Sequence, residues 1–206
     1  MSVELRTIKA NIELRQEGDS DTQKLRGLAS PVGETTEICG IGGKYNERFE
    51  KGAFDRAIKE GQDVRALLNH DPNFVLGRTK SGTCQLRADK EGLWVEVDPP
   101  ETQLGRDTVE LVKRGDIDGM SIAFIPVVDE FDKESNTRTI KDADLYDVSF
   151  VTYPAYTGTS TEYRYSTGTS NYPVPQEEPP QELEEKVSQE QMLQLDLELT
   201  ELEMES

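Results

Sequence analysis

The sequence predicts an α+β, strand-rich domain built on a closed or strongly curved sheet and followed by an acidic tail. Two observations carry this prediction. Between residues 4 and 153 the apolar residues fall into many short runs bounded by turn residues, and only two segments show helical spacing. Near residue 165 the composition changes, which bounds the packed domain at residues 1–165 and sets 166–206 apart.

The elements follow in order. "ELRTIKANIEL" (4–14) and "KLRGLASPVGE" (24–34) are the first strands. "GAFDRAIKEG" (52–61) places Ala53, Phe54, Ala57 and Ile58 on one helical face and stops at Gly61. "VRALLNH" (64–70) and "FVLGRT" (74–79) are strand runs on either side of a turn at "DPN" (71–73). "CQLRADKEGLWVEVD" (84–98) alternates about a central turn, as a hairpin does. "TQLGRDTVELVKRG" (102–115) is helical through Leu104, Thr108, Leu111 and Val112, and stops at Gly115. "GMSIAFIPVVDEF" (119–131) and "TRTIKDADLYDVSFVTY" (137–153) supply the last strands.

Beyond them, "YSTGTSNYPVPQEEPPQELEEK" (165–186) is too poor in apolar residues to offset its ordering entropy, and reads as a flexible linker. Met192, Leu195, Leu199 and Leu202 then make one apolar helical stripe. Leu193, Leu195, Leu197 and Leu199 also alternate, which leaves a strand open. The segment reads either as a partner-docking helix, disordered or partly helical when alone, or as a solvated tail.

Charge and composition exclude several functions. The net charge is −18, of which residues 171–206 hold −10: eleven carboxylates against Lys186 alone. Non-specific nucleic-acid binding requires an excess of Lys and Arg, so no nucleic-acid partner is expected. No apolar run is long enough to span a bilayer, and the first residues lack the apolar core of a secretory signal. Cys39 and Cys84 match no metal spacing and read as reduced, buried thiols; no metal or other cofactor is expected.

Three residues could carry chemistry. His70 is the one histidine of the chain, and imidazole is the side chain whose proton affinity suits transfer near neutral pH. The plainer reading is a half-exposed histidine hydrogen-bonded at a turn. Ser121, in "GDIDGMSIAFIPVV", enters an apolar strand just after Gly119, and a serine nucleophile needs a base within reach. A small residue satisfied by backbone would explain it equally. Asp147 alternates with Leu145, Ser149 and Val151, opposite an apolar face of Tyr146, Val148 and Phe150. It is either an outward carboxylate of an amphipathic strand or one that orients an imidazole. Asp71, Asp116, Asp118 and Asp144 compete for that role, and spacing does not choose among them. Arg78 follows His70 closely and could equally be a surface cation.

Taken together, "YNERFEKGAFDRAI" (45–58), "ALLNHDPNFVLGRT" (66–79), "GDIDGMSIAFIP" (115–126) and "DLYDVSFVTYPAY" (144–156) resemble the tailed-phage prohead (head maturation) protease family, in its order and spacing, across residues 5–160. The resemblance extends to the herpesvirus capsid-maturation proteases. It implies a small closed β-barrel surrounded by helices and a serine endopeptidase with Ser121 as nucleophile, His70 as general base and Asp147 as third member. Many relatives carry Glu at that third position. The implied substrates are the scaffold protein or the scaffolding segment of the major capsid protein, and the protease itself, cut inside the assembling prohead in the bacterial host cytoplasm. The resemblance leaves room for self-association and implies no membrane partner. The reading from another class is a non-catalytic scaffold or capsid-binding module that keeps the fold.

Overall fold

The structure is a computed structural model and describes residues 3–16, 23–40, 43–153 and 160–161. Apart from Gly43, these residues belong to one compact unit. They form two sheets. In the larger, β1 (Glu4–Lys9), β10 (Gly119–Asp132), β11 (Thr137–Val151), β5 (Gly43–Phe49), β4 (Thr36–Gly40) and β12 (Ser160–Thr161) lie side by side in that order. β6 (Arg65–Leu68) joins this sheet at β11 and carries β7 (Asp71–Arg78) as its outer neighbour. The smaller sheet orders β2 (Glu13–Gln16), β3 (Gln23–Pro31), β9 (Gly92–Val97) and β8 (Cys84–Ala88), so the hairpin expected at 84–98 is present. The segment "ELRTIKANIEL" is not one strand: it breaks after Lys9, and its halves enter different sheets.

A closed barrel is not found, and β11 shows why. One edge of β11 pairs with β10. The other pairs in parallel with β5 over Thr137–Ile140 and with β6 over Asp147–Phe150. The sheet therefore branches instead of running round to its own edge. The short helix α1 (Asp55–Lys59) and its flanks fill the fork. There the Ala143 N–H donates to the Ala53 carbonyl at 3.0 Å and the Leu145 N–H donates to Gln62 Oε1 at 2.8 Å. Arg56 bridges Asp142 and Asp144 at 2.7 and 2.6 Å. The bonds from Ala143 and Leu145 satisfy backbone groups that a missing strand would leave open. Nor is there a surround of helices: among the described residues the other α-helix is α2 (Gln103–Arg114). It starts on the Thr102 side chain and ends, as the sequence predicts, on Gly115, at φ +80°.

The core lies between the sheets. Met120, Ile122 and Phe124 of β10 and Val148 and Phe150 of β11 share one cluster with Leu25 of β3 and Leu93, Val95 and Val97 of β9, all with essentially no exposed surface. The approach is close at Gly27 of β3, where a Cβ would collide with Met120 Sδ, one residue from Ser121. Burial of each large apolar side chain contributes about 1.5–3 kcal/mol, so β10 is firmly held on this face.

Beside this core sits a cluster of buried charges. Glu4 and Arg6 lie opposite Phe124 and Ile122, on the core side of β1. Arg6 donates to Glu47 of β5 at 2.8 Å and to Glu4 at 2.7 Å. Arg138 of β11 donates to Glu4 at 2.8 Å, to Glu47 at 3.2 Å and to Asp129 of β10 at 2.7 Å. The side chains of Glu4, Arg6, Glu47 and Arg138 are each at most 7% exposed, so every charge depends on its neighbours. Burial alone would raise the Glu4 carboxyl. The hydrogen bond from Arg138 and the charges of Arg6 and Arg138 outweigh it and hold Glu4 below its ordinary value.

Removing one partner strands the others, so Arg138→Met is expected to lower the unfolding free energy by about 3–5 kcal/mol at neutral pH, read by urea denaturation. A carboxylate with a depressed folded-state pKa contributes stability above its ordinary value, 4.5 for Glu4, and loses it as pH falls through the depressed one. Wild type is therefore expected to lose stability more steeply than the variant on acidification below that value.

Candidate active site

Four strands lay the site out in rows. Thr7 of β1, Ser121 of β10, Ser149 of β11 and Leu67 of β6 are directly opposed, one after another. The next row is Leu5, Ala123, Asp147 and Arg65. Opposed residues of neighbouring strands share a face, so both rows lie on the side away from Met120, Ile122 and Phe150.

A β-bulge lies just before Asp147 in β11. The pairing steps from Ala123–Asp147 to Phe124–Leu145, and Tyr146 is left without an opposite residue. Strict alternation puts Tyr146 with Val148 and Phe150, and Leu145 with Asp147. The bulge exchanges them: Leu145 is 4% exposed and joins the core, while Tyr146 is turned out at 50%. The core stays apolar and the carboxylate keeps the site face.

His70 arrives on a turn. Leu68 pairs with Asp71, so Asn69 and His70 are the central residues of a two-residue hairpin, at φ +53° and +57°. Positive φ at both positions is the hairpin form that follows strand twist. The turn thus falls at Asn69–His70 and not at "DPN". Pro72 instead enters β7, where the register shift lets residues 72–74 bulge from β6. A left-handed histidine costs about 1–2 kcal/mol, and hydrogen bonds to β11 oppose that cost. The Asn69 N–H donates to the Phe150 carbonyl at 2.9 Å and the His70 N–H to Ser149 Oγ at 3.1 Å. Asn69 Oδ1 accepts from the Thr152 N–H at 3.0 Å and from its hydroxyl at 3.3 Å.

The three sequence candidates meet. His70 Nε2 lies 2.6 Å from Ser121 Oγ, and His70 Nδ1 lies 2.6 Å from Asp147 Oδ1. An ionised carboxylate only accepts, so Nδ1 carries the ring proton and Nε2 offers its lone pair to the serine hydroxyl. Ser149 Oγ donates to Asp147 Oδ1 at 2.9 Å, which closes a small ring with the His70 backbone and imidazole. Thr7 Oγ1 donates to Ser121 Oγ at 2.9 Å. Ser121 is fully buried, and the His70 and Asp147 side chains are 10% and 16% exposed. Such an arrangement can move a proton from a hydroxyl to an imidazole as the oxygen attacks an electrophile.

The competing groups are engaged elsewhere. Asp71 accepts from Asn73, Asp116 pairs with Arg114, Asp118 with Lys9, and Asp144 with Arg56. Arg78 donates to Asp63 at 2.6 Å, on the far end of β7 from the turn. Burial pushes the Cys84 thiol up to about 12, far from a reactive thiolate. Thr7, Ser149 and Asn69 were not singled out from sequence. Alternation with Asp147 already puts Ser149 on the same face, and Asn before His suits a left-handed turn. Nothing local marks Thr7.

Residues 10–172 match the caudovirus prohead serine protease family. The chain belongs to that family. Among curated proteins none matches. Among solved structures the bacteriophage T4 capsid assembly protease gp21 is similar, with a TM-score of 0.53 and 13% identity over 74% of this chain and 98% of that one. At that identity the likeness is one of fold. Membership makes this chain a prohead serine protease, and places it with the phage capsid during assembly. No described helix is long and apolar enough to cross a membrane.

Asn69→Ala and Asn69→Gly both lose the bonds to Thr152, but only glycine accepts the positive φ freely. The alanine variant is expected to unfold with about 1 kcal/mol less free energy than the glycine variant, measured by chemical denaturation.

Proposed function

We propose that the protein is the maturation endopeptidase of the prohead, with Ser121 as nucleophile, His70 as general base and then acid, and Asp147 as the carboxylate that orients the imidazole. The observation that carries this reading is the unbroken contact from Ser121 Oγ through both His70 nitrogens to Asp147, 2.6 Å at each step.

The mechanism follows from those contacts. His70 Nε2 takes the hydroxyl proton while a Ser121 lone pair forms a bond to the peptide carbonyl carbon, and the carbonyl electrons move onto oxygen. Asp147 stabilises the imidazolium and holds its tautomer. Collapse of the tetrahedral intermediate breaks the C–N bond, and the imidazolium gives its proton to the leaving amine. Water then repeats the cycle on the acyl-enzyme.

The substrates proposed are the scaffold protein or the scaffolding segment of the major capsid protein, and the chain itself near the Pro- and Glu-rich stretch 165–182. That stretch and the leucine-bearing tail lie outside the described residues. The tail is proposed to direct the enzyme into the assembling shell.

Coexpression with the capsid protein tests the assignment. Ser121→Ala and His70→Ala are expected to abolish processing while shells still assemble, and Asp147→Asn to slow it by about 10³–10⁴-fold. Wild-type processing by both of the first two would overturn the protease assignment. Deleting residues 171–206 is expected to lower incorporation into shells, measured by gradient sedimentation and blotting, and to spare cleavage of a peptide in solution. Equal incorporation would remove the targeting role.

A further inference from the structure

We propose that Thr7 is a positioning residue for the nucleophile, delivered by a strand that lies upstream of the family match. The inference rests on Ser121 being that nucleophile. Two observations support it independently: the hydroxyl contact and the locked register of the strand that makes it.

The family match begins at residue 10, and β1 spans Glu4–Lys9, so β1 falls wholly outside it. Yet β1 pairs with β10 across the full width of the site, Lys9 opposite Gly119 through Glu4 opposite Phe124. A serine hydroxyl has one proton and two lone pairs. The Ser121 proton is directed at His70 Nε2, and one lone pair is taken by the Thr7 hydroxyl at 2.9 Å. That leaves one lone pair for the carbonyl carbon. Thr7 thus stops the Ser121 hydroxyl from rotating away from its base. As the proton passes to His70, the oxygen gains negative charge with a donor already in place.

The other face of β1 secures the placement. A slip of one residue would turn Thr7 to the core side and bring Arg6 or Ile8 opposite Ser121. It would also withdraw Glu4 and Arg6 from Glu47 and Arg138, leaving buried charges without counter-charges. The charge cluster fixes register, and register sets Thr7 on the nucleophile.

The test uses the full chain and an alkyl fluorophosphonate carrying a fluorescent reporter. In labelling, a Ser121 lone pair forms an O–P bond, fluoride leaves with the P–F electrons, and the hydroxyl proton goes to His70. Thr7→Val keeps shape and β-propensity without the donor; Thr7→Ser keeps the donor. The maximal labelling rate of Thr7→Val is expected to fall about three- to tenfold at an unchanged half-saturating concentration, with Thr7→Ser within about twofold of wild type. Wild-type labelling by Thr7→Val, or equal slowing in Thr7→Ser, overturns the proposal. If Thr7→Val does not fold, Thr7→Ala is read the same way. Label retained by Ser121→Ala, or none on wild type, overturns the assignment of Ser121 itself and this inference with it.

Discussion

The pairing of β10 with β11 is the constraint from which the site follows. It sets Ser121 opposite Ser149 and Ala123 opposite Asp147, so Ser121 and Asp147 share a face one row apart. Everything else is brought to that pair. β6 runs beside β11 and ends at Leu68, level with Phe150, so the next two residues turn back over the rows where Ser121 and Asp147 wait. β1 completes the other side. The fixed side of this ladder is the core face, where Met120, Ile122, Phe124, Val148 and Phe150 are sealed against the second sheet.

The site departs from ordinary local preference at several points, each offset by a neighbour. A histidine occupies a left-handed turn position and is tied to Ser149 and, through Asn69, to Phe150 and Thr152. A bulge just before Asp147 interrupts the main ladder, turning Tyr146 outward and Leu145 into the core. Two serines with no exposed surface sit where apolar residues would pack, and each has hydrogen-bond partners within the site. Departures of this kind concentrate at functional sites because the surrounding structure over-determines them.

Much of this was legible in the sequence, and the limits are physical. α2 could be read because its apolar spacing and Gly115 stop are local. So could the hairpin of β8 and β9. His70, Ser121 and Asp147 could be named from motif order, but their contact depends on pairings separated by 51 and 77 residues. The choice of Asp147 over Asp71 or Asp144 needed the tertiary contacts, which hold Asp71 on Asn73 and Asp144 on Arg56, and alternation alone misassigns Leu145 and Tyr146. The turn was misplaced because Pro72 is the louder signal, and the barrel was misjudged because branching of a sheet has no local mark. Thr7 was silent for the same reason: a threonine in a strand looks alike whatever strand lies beside it.

The fork in β11 has a consequence for how the chain can change length. β5 leaves β11 at Ile140 and β6 joins it at Asp147, and residues 50–64 connect the two through α1. That connection acts as a ruler. Adding or removing one residue in a way that moves β6 would carry it about 3.3 Å along β11 and invert its faces. The turn after Leu68 would then meet a core residue in place of Ser149. Changes of length off this path, as at residues 133–134 of the β10–β11 hairpin, leave unaltered the distance that brings the imidazole to the serine.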